Sequence, residues 1–228
     1  MKLDKRLHKL AMLVPANSIV ADIGTDHGYV PKYLIDNDIA KLAIATDISE
    51  GSLSKTTSYV EEENLSESIL PRLGSGLDPL KPFEVDTVII AGMGGILISD
   101  ILKANRKKAE TFLRFILQPM VGSNELRRYL IEDGFKIVDE ELVREDGRYY
   151  EIIVAENGLQ REAEEISLEI SPLLIRKDHQ LWREFVEWKL DTLEAISKGL
   201  EGKKSEKSLL RQEELKSKIK SLREVLKT

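Results

Sequence analysis

The sequence has 228 residues, a formal net charge of −6, 42% hydrophobic residues and 32% charged residues, which is typical of a soluble globular protein. It contains no cysteine, which excludes disulfides, thiolate nucleophiles and cysteine-based metal sites, and its three scattered histidines do not suggest a metal site. Its longest apolar runs are about six residues, whereas a membrane-spanning helix needs roughly 20, and its charged beginning does not resemble a signal peptide. We therefore expect a cytoplasmic protein with no membrane partner and no bound metal.

Hydrophobic spacing predicts alternating helices and strands through the first 132 residues. The predicted elements are, in chain order, a helix over 2–13, a strand over 18–23, a helix after Gly28 that includes 30–34, a strand over 42–46, a helix over 49–63, strands over 69–73 and 85–90, a helix over 95–104, a strand over 111–117, and a helix over 124–132 with a cap at Ser123 or Asn124. Strands that alternate with helices in this way indicate a parallel sheet covered on both faces.

The pattern then changes twice. Two extended runs, 135–144 and 148–156, are joined by Glu145-Asp146-Gly147, and Asp-Gly between such runs favours a hairpin. A mostly parallel sheet closed by an antiparallel hairpin is unlike the dehydrogenase form of this architecture and is typical of methyltransferases, an analogy at the level of fold alone.

From about residue 160, apolar residues recur at three- and four-residue steps, which predicts two helices joined near 199–204 as an antiparallel, coiled-coil-like hairpin. We expect two domains, 1–158 and 159–228. Residues 160–228 carry 15 Lys and Arg against 14 Asp and Glu, so this segment is less acidic than the rest.

The first candidate site is the glycine-containing turn after the first strand. Glycines there allow a tight turn and a close backbone approach to a ligand. The spacing is not the G-x-G-x-x-G that receives a pyrophosphate, and the carboxylates of Asp22 and Asp26 would repel one. They suit a ligand with an ammonium group, such as the methionine end of S-adenosylmethionine. The candidate cofactor residues are Asp22, Gly24, Thr25, Asp26, His27 and Gly28. An ordinary strand-to-helix turn is the alternative.

An acidic residue at the end of the second strand strengthens this interpretation. Asp47, followed by Ile48, comes 23 residues after Gly24, and an acid about 20 residues beyond a glycine turn receives ribose hydroxyls. Because Asp47-Ile48-Ser49-Glu50 is also a plausible helix start, a helix cap is the alternative.

Two further glycine-containing turns follow later strands. Ser75, Gly76 and Leu77 would line an adenine pocket by position, although a plain turn before Pro79 explains them equally well. Gly92, Met93 and Gly94 follow the fourth strand, and the carboxyl ends of such strands form the ligand crevice. We expect this turn to approach a planar base or the reacting centre, with Gly92 and Met93 as cofactor residues, and simple packing is the alternative.

These motifs together resemble one family. Asp22–Gly28, Thr46–Ser49, Ala91–Gly95 and Leu117-Gln118-Pro119 are similar to the bacterial tRNA (adenine-22-N1)-methyltransferases, over residues 1 to about 156 and also in the helical tail. The resemblance implies an α/β, Rossmann-like class I methyltransferase fold with a mostly parallel seven-stranded sheet closed by an antiparallel hairpin. It also implies S-adenosylmethionine as donor and N1 of adenine 22 in tRNA as acceptor. Asp26 stands where many relatives of the wider fold have glycine.

The expected chemistry needs no general base, because neutral adenine N1 already carries a lone pair. Asp26 is the candidate catalytic residue, since a carboxylate stabilises the cationic product. The remaining candidate substrate residues are Tyr29, Met93, Gly94, Gln118, Pro119, Arg127, Tyr149, Lys203 and Lys204. Of the adjacent pair Tyr149 and Tyr150, one must face the core.

Other hypotheses remain open at this point. The enzyme could methylate another RNA or a small molecule, or the chain could be a non-catalytic S-adenosylmethionine-binding module. The tail is expected either to dock tRNA through its lysines or to be a solvated coiled coil. We expect a monomer.

Overall fold

The computed structural model describes residues 3–25, 27–161, 163–203 and 205–227. The chain divides into two compact units, Met1–Glu162 and Ala163–Thr228. The elements of the first unit are α1 (Lys5–Met12), β1 (Ser18–Ile23), α2 (Tyr29–Asp36), β2 (Ala40–Asp47), α3 (Glu50–Glu62), β3 (Ile69–Leu73), β4 (Thr87–Met93), α4 (Gly95–Ala104), α5 (Arg106–Ala109), β5 (Arg114–Pro119), α6 (Ser123–Glu132), β6 (Phe135–Glu145) and β7 (Arg148–Asn157).

In the described part of the chain, seven strands form one sheet in the order β3-β2-β1-β4-β5-β7-β6. β1 pairs in parallel with both β2 and β4, and β2 with β3 and β4 with β5 are parallel as well. β7 is antiparallel to β5 and to β6. The predicted fold class, a mostly parallel sheet closed by an antiparallel hairpin, is therefore confirmed.

Helices cover both faces of this sheet, as the continuous apolar strands require. On one face, α1 and α2 pack on strand residues that include Val20, Ile89, Ile116 and Ile152. The alternate strand residues, among them Ala21, Val88 and Phe115, are also fully buried, so they point to the other face. There α4 and α6 pack against each other and against β4, β5 and β6.

The β6–β7 hairpin forms where the Asp-Gly pair predicts it. Asp146 and Gly147 have φ values of 48° and 75°, and two successive positive φ values are what the tight type I′ turn requires. Of the adjacent tyrosines, Tyr150 packs against the buried cluster under α1 and α2, which confirms that one of the pair faces the core.

Several predicted boundaries were wrong. β4 begins and ends later than 85–90, and β5 begins later than 111–117. At the start of β5, the N–H groups of Leu113 and Arg114 both donate to the Asp86 carbonyl, so regular strand pairing begins only after this turn. The short helix α5 was not predicted. The expected side-chain cap of α6 is also wrong. The helix begins at Ser123, and its N-cap is Gly122 at φ 75°, with no capping side chain.

Arg127, expected to contact substrate, lies instead inside the first unit. Its side chain on α6 is 2% exposed and forms ion pairs with Glu140 of β6, at 2.7 Å, and with Glu151 of β7. Burial lowers the pKa of this guanidinium, but the two carboxylates outweigh burial and raise the pKa overall. Removal of one partner would leave a buried charge uncompensated. We therefore assign Arg127 to joining α6 to the hairpin, and not to contact with substrate.

The second unit contains four helices in its described part: α7 (Glu165–Glu169), α8 (Pro172–Arg176), α9 (Trp182–Gly199) and α10 (Glu206–Val225). The predicted pair of long helices is present, while α7 and α8 were not predicted. Gln212 of α10 donates to the Leu200 carbonyl at 2.7 Å, and Arg223 pairs with Glu194 of α9 at 2.7 Å. Leu215, Ile219 and Leu222 are buried at helical spacing, so the hairpin has an apolar seam.

Candidate active site

The carboxyl ends of five strands meet along one edge of the sheet. β2 and then β3 lie on one side of β1, and β4 and then β5 lie on its other side. The paired residues at this edge are Ile23 with Thr46 and Ile90, Asp47 with Leu73, and Met93 with Pro119. Ligands of such sheets bind where the strand order reverses, so the loops after β1 and β4 flank the predicted crevice.

The turn after β1 is tied to the end of β2. The N–H groups of Gly24 and Thr25 both donate to the Thr46 carbonyl, at 2.8 and 2.9 Å. Gly24 has φ 73°, and a Cβ at this position would lie 2.3 Å from Cε of Met93. A side chain at residue 24 would therefore be strained and would displace the residue that ends β4.

Asp22 is a buried carboxylate near a second acid. It is 7% exposed, and burial raises its pKa to about 6, with the negative charge of Asp47 adding to the effect and Thr25 opposing it. Asp22 has no ion pair with any described cation, so the edge of the sheet holds negative charge that its described surroundings leave uncompensated.

Asp47 shapes the turn that leads into α3, although Ser49 is the residue that caps this helix. Its Oδ1 accepts a hydrogen bond from the Ser49 N–H at 2.7 Å, while Ser49 is the N-cap of α3 and accepts from Ser52. Oδ2 of Asp47 makes no hydrogen bond with a described residue. One carboxylate oxygen therefore shapes the turn, and the other can accept a hydrogen bond from a ligand. The neighbouring Ile48 side chain is exposed.

Aromatic rings gather at the start of α2. His27 stacks on Tyr29 with ring centroids 5.3 Å apart, and Tyr29 meets the edge of Tyr59 at 5.8 Å. Gly28, at φ 71°, is the N-cap that turns the chain into the helix. Tyr29 follows the glycine turn directly and is 37% exposed, so part of its ring is accessible to solvent.

The loop after β3 reaches the same edge. The Gly74 N–H donates to the Asp47 carbonyl at 3.0 Å, which sets the following residues beside the end of β2. Ser75 is exposed, but the side chain of Leu77 is fully buried. The Leu77 side chain therefore packs inside the protein, and its part in lining a pocket through the backbone stays a prediction.

The loops after β4 and β5 are joined through Gln118. Its Oε1 accepts hydrogen bonds from the Gly92 N–H at 3.2 Å and from Arg6 of α1 at 2.7 Å, and its Nε2 donates to the Pro119 carbonyl at 2.9 Å. Nothing lies within 4 Å of where a Gly92 Cβ would be, so this backbone faces open space. Arg6 was not among the predicted site residues, because a contact between residues 112 positions apart leaves no local pattern in the sequence.

The remaining predicted residues are not all brought together. Tyr149 lies on β7, with the Arg144 guanidinium 5.6 Å from its ring. Lys203 is exposed in the loop between α9 and α10 of the second unit. Asp26, the candidate catalytic residue, and Lys204 lie outside the described residues. Within the described ranges, no helix is long and apolar enough to cross a membrane, and no cluster of His, Asp and Glu is suited to a metal ion.

The strand order, the closing hairpin and the glycine turn followed by an acid after β2 define the class I methyltransferase fold. Comparison with known proteins narrows the class to a family. The family model described as tRNA (adenine(22)-N(1))-methyltransferase matches residues 20–224. The chain belongs to this family.

Individual relatives match over nearly the whole chain. A tRNA (adenine(22)-N(1))-methyltransferase of Bacillus subtilis (strain 168) is 34% identical over 235 residues, 99% of this chain and 98% of the relative. A Streptococcus pneumoniae protein crystallised with S-adenosyl-L-methionine is 31% identical, with a TM-score of 0.88, 99% of this chain and 100% of that one being covered. An M. capricolum relative, in complex with S-adenosyl-homocysteine, is 27% identical with a TM-score of 0.85, covering 100% of this chain and 99% of that one.

The raised pKa of Asp22 leads to a stability prediction. Folding favours the protonated form of Asp22. The contribution of this acid to the free energy of unfolding is therefore complete below its ordinary pKa of 3.8 and is lost as the pH rises through about 6. Asp22→Asn, which stays neutral, should therefore stabilise the ligand-free protein at neutral pH by at most about 3 kcal/mol and have little effect near pH 4.

Chemical denaturation of both proteins across this pH range measures the difference. Asp38→Asn, at an exposed acid, is the matched control and should leave the free energy of unfolding nearly unchanged. A difference between Asp22→Asn and wild type that does not vary with pH would contradict the prediction.

Proposed function

We propose that this protein transfers the methyl group of S-adenosylmethionine to N1 of adenine 22 in tRNA. Membership of the tRNA (adenine(22)-N(1))-methyltransferase family carries the proposal. The glycine turn, the two acids and the open Gly92 backbone at one edge of the sheet support it, because they fit a donor that combines a cationic amino acid, a ribose and a flat base. A tRNA substrate implies action in the cytoplasm.

The residues present fit this cofactor. Asp22 is buried without a described cationic partner, and we assign it to the ammonium group of the amino-acid end. The free Oδ2 of Asp47 is assigned to the ribose hydroxyls, as in other adenosine-binding sheets. The backbone of Gly24 and Gly28 is assigned to the turn around the amino-acid end, and that of Ser75 to Leu77 to the adenine.

The chemistry itself asks little of the protein beyond positioning. S-adenosylmethionine supplies a methyl group whose bond to sulfur breaks, with the electron pair passing to sulfur, as the adenine N1 lone pair forms the new bond. Since no proton has to be removed, the chain's residues act by holding the two reactants in line, which contributes up to roughly 7–11 kcal/mol. The hydrogen bonds of Gln118 fix Gly92, and Tyr29 offers a ring for base stacking.

Mass spectrometry of tRNA treated with the purified protein tests the activity. With S-adenosylmethionine and an unmodified tRNA carrying adenine 22, we expect one methyl group per tRNA, at N1 of that adenine. The same tRNA with guanine at position 22 is the matched control and should remain unmethylated. Methylation of another nucleotide would favour a different RNA methyltransferase. Cofactor binding without methylation would favour a non-catalytic binding module.

Calorimetry with S-adenosylmethionine tests the role of Asp47. Loss of a hydrogen bond to a charged group costs about 1.5–3 kcal/mol, so Asp47→Ala should weaken binding roughly tenfold to a hundredfold. Glu67→Ala, at an exposed acid before β3, is the control and should bind normally. Thermal unfolding of Asp47→Ala checks that loss of the Ser49 hydrogen bond leaves the fold intact. An unchanged dissociation constant would refute the assignment.

The second unit is proposed to dock tRNA through α10 and the loop that precedes it. Lys203, Lys207, Lys216 and Lys220 are exposed and form no ion pair within the described ranges. Other cations of the helix are neutralised, since Lys218 pairs with Glu169 and Arg223 with Glu194. Phosphate contacts from such lysines supply sequence-independent affinity.

A double charge reversal tests this docking surface. Lys216→Glu with Lys220→Glu should weaken tRNA binding about tenfold or more and make its salt dependence shallower by roughly one to two in the log–log slope. S-adenosylmethionine affinity should not change. Lys41→Glu with Lys136→Glu carries the same charge change on exposed positions of the sheet unit and is the control. Equal losses in the two double variants would contradict a specific role for α10.

A further inference from the structure

The first turn of α4 and the loop after β5 expose large apolar side chains beside the candidate active site. Ile96 and Leu97 lie in that first turn, and Met120 and Val121 follow β5. Their exposed fractions are 63%, 51%, 45% and 72%. We call these four residues the apolar rim. Exposed apolar residues that are grouped together, unlike ones scattered singly, mark interaction sites on protein surfaces.

The exposed residues of α4 are not needed to pack this helix on the hydrophobic core. α4 directs Ile98 and Leu102, both fully buried, toward the sheet. Ile96 and Leu97 lie outside this stripe, at positions where a surface helix ordinarily carries polar residues. The exposed side chains therefore do not serve the packing of α4.

The rim is rigidly joined to the site. The Met120 N–H donates to the Met93 carbonyl, and the Gly95 N–H donates to the Val121 carbonyl, both at 2.8 Å. A Cβ on Gly95 would lie 2.0 Å from the Gly122 carbonyl oxygen, so the two loops touch backbone to backbone. The rim is thus hydrogen-bonded through Met120 to Met93, the residue whose side chain reaches the glycine turn after β1.

We infer that the apolar rim contacts the bases that flank the target adenine and replaces the stacking that this adenine loses when it leaves its helix. The inference rests on the proposed function. N1 lies on the Watson–Crick edge, so a paired adenine must leave the stack before it can react. Apolar side chains placed against base steps offset this cost in other proteins that open or kink nucleic acid helices.

Continuity with the reacting centre favours RNA as the occupant. A base that enters between the loops after β1 and β4 brings its neighbours in the strand close to Met93, to which Met120 of the rim is hydrogen-bonded. The faces of bases are flat and poorly hydrated, and they match a surface made of four aliphatic side chains better than phosphates do.

A double variant tests the rim with two tRNA substrates. Ile96→Ser with Val121→Ser is compared with Phe83→Ser and Leu113→Ser, which are similarly exposed but precede β4 and β5 at the opposite edge of the sheet. One tRNA has adenine 22 paired, and the other has the opposing nucleotide changed so that this adenine is unpaired. Sedimentation of the wild-type protein and of the rim variant accompanies the assay.

For the rim variant, kcat/KM on the paired tRNA should fall roughly tenfold or more, as expected if rim contacts offset more than about 1.4 kcal/mol of unstacking. On the unpaired tRNA it should largely recover, with S-adenosylmethionine affinity unchanged. With 2-aminopurine at position 22, the wild-type protein should raise the fluorescence of the bound tRNA and the rim variant should not. The control variant should behave as wild type. If the double variant is less stable, Val121→Ser alone should show the same difference between substrates.

Three results would overturn the inference. They are an equal loss on both tRNAs, an equal loss in the control variant, and a wild-type dimer that the rim substitutions dissociate, which would make the rim an interface between two copies of this chain. If wild type does not methylate adenine 22 at all, the proposed function fails first. If it does and the rim variant is fully active on paired tRNA, only the rim inference fails.

Discussion

The placement of β1 between two parallel partners is the constraint on which the site depends. The chain leaves β1 for β2 on one side and later returns to β4 on the other, so the loops after β1 and β4 diverge and leave a crevice between them. Because neighbouring strands are held in register, the acids near the ends of β1 and β2 lie close together, and the charge of Asp47 adds to burial in raising the pKa of Asp22. The geometry follows from strand order, before any individual side chain is considered.

Within that frame, the protein treats its buried charges in two different ways. Arg127 has two carboxylates around it and forms a closed ion-pair cluster under the hairpin. Asp22 is also buried but has no described cationic partner, and its pKa is raised accordingly. The first arrangement stabilises the fold, since breaking a buried pair is costly. The second leaves unsatisfied charge at the crevice, which a cationic ligand can compensate, so stability is given up where binding gains from it.

Close backbone contacts give the site its rigidity. Gly95 packs against the Gly122 carbonyl, and the loops after β4 and β5 exchange hydrogen bonds through Met93, Met120 and Val121. Arg6 and Gln118 add a side-chain connection from α1 to Gly92. A reaction that relies on alignment and not on proton transfer benefits from such fixed loops, because small displacements of the reactants cost much of the rate.

The sequence by itself determined the alternation of strands and helices, the hairpin at Asp146-Gly147, the glycine turn after β1 and the acid that follows β2. These features have local causes: hydrophobic periodicity, positive φ values and the spacing of one βαβ unit. Only the tertiary structure decided that Arg127 belongs to an ion-pair cluster, that Gly122 and not a side chain caps α6, that Leu77 is buried, and that Arg6 holds Gln118. The two side-chain contacts join residues distant in sequence, 13 residues apart for Arg127 with Glu140 and 112 apart for Arg6 with Gln118. Contacts of this kind leave no periodic pattern in the chain, because burial and partners are set by packing and not by local conformation.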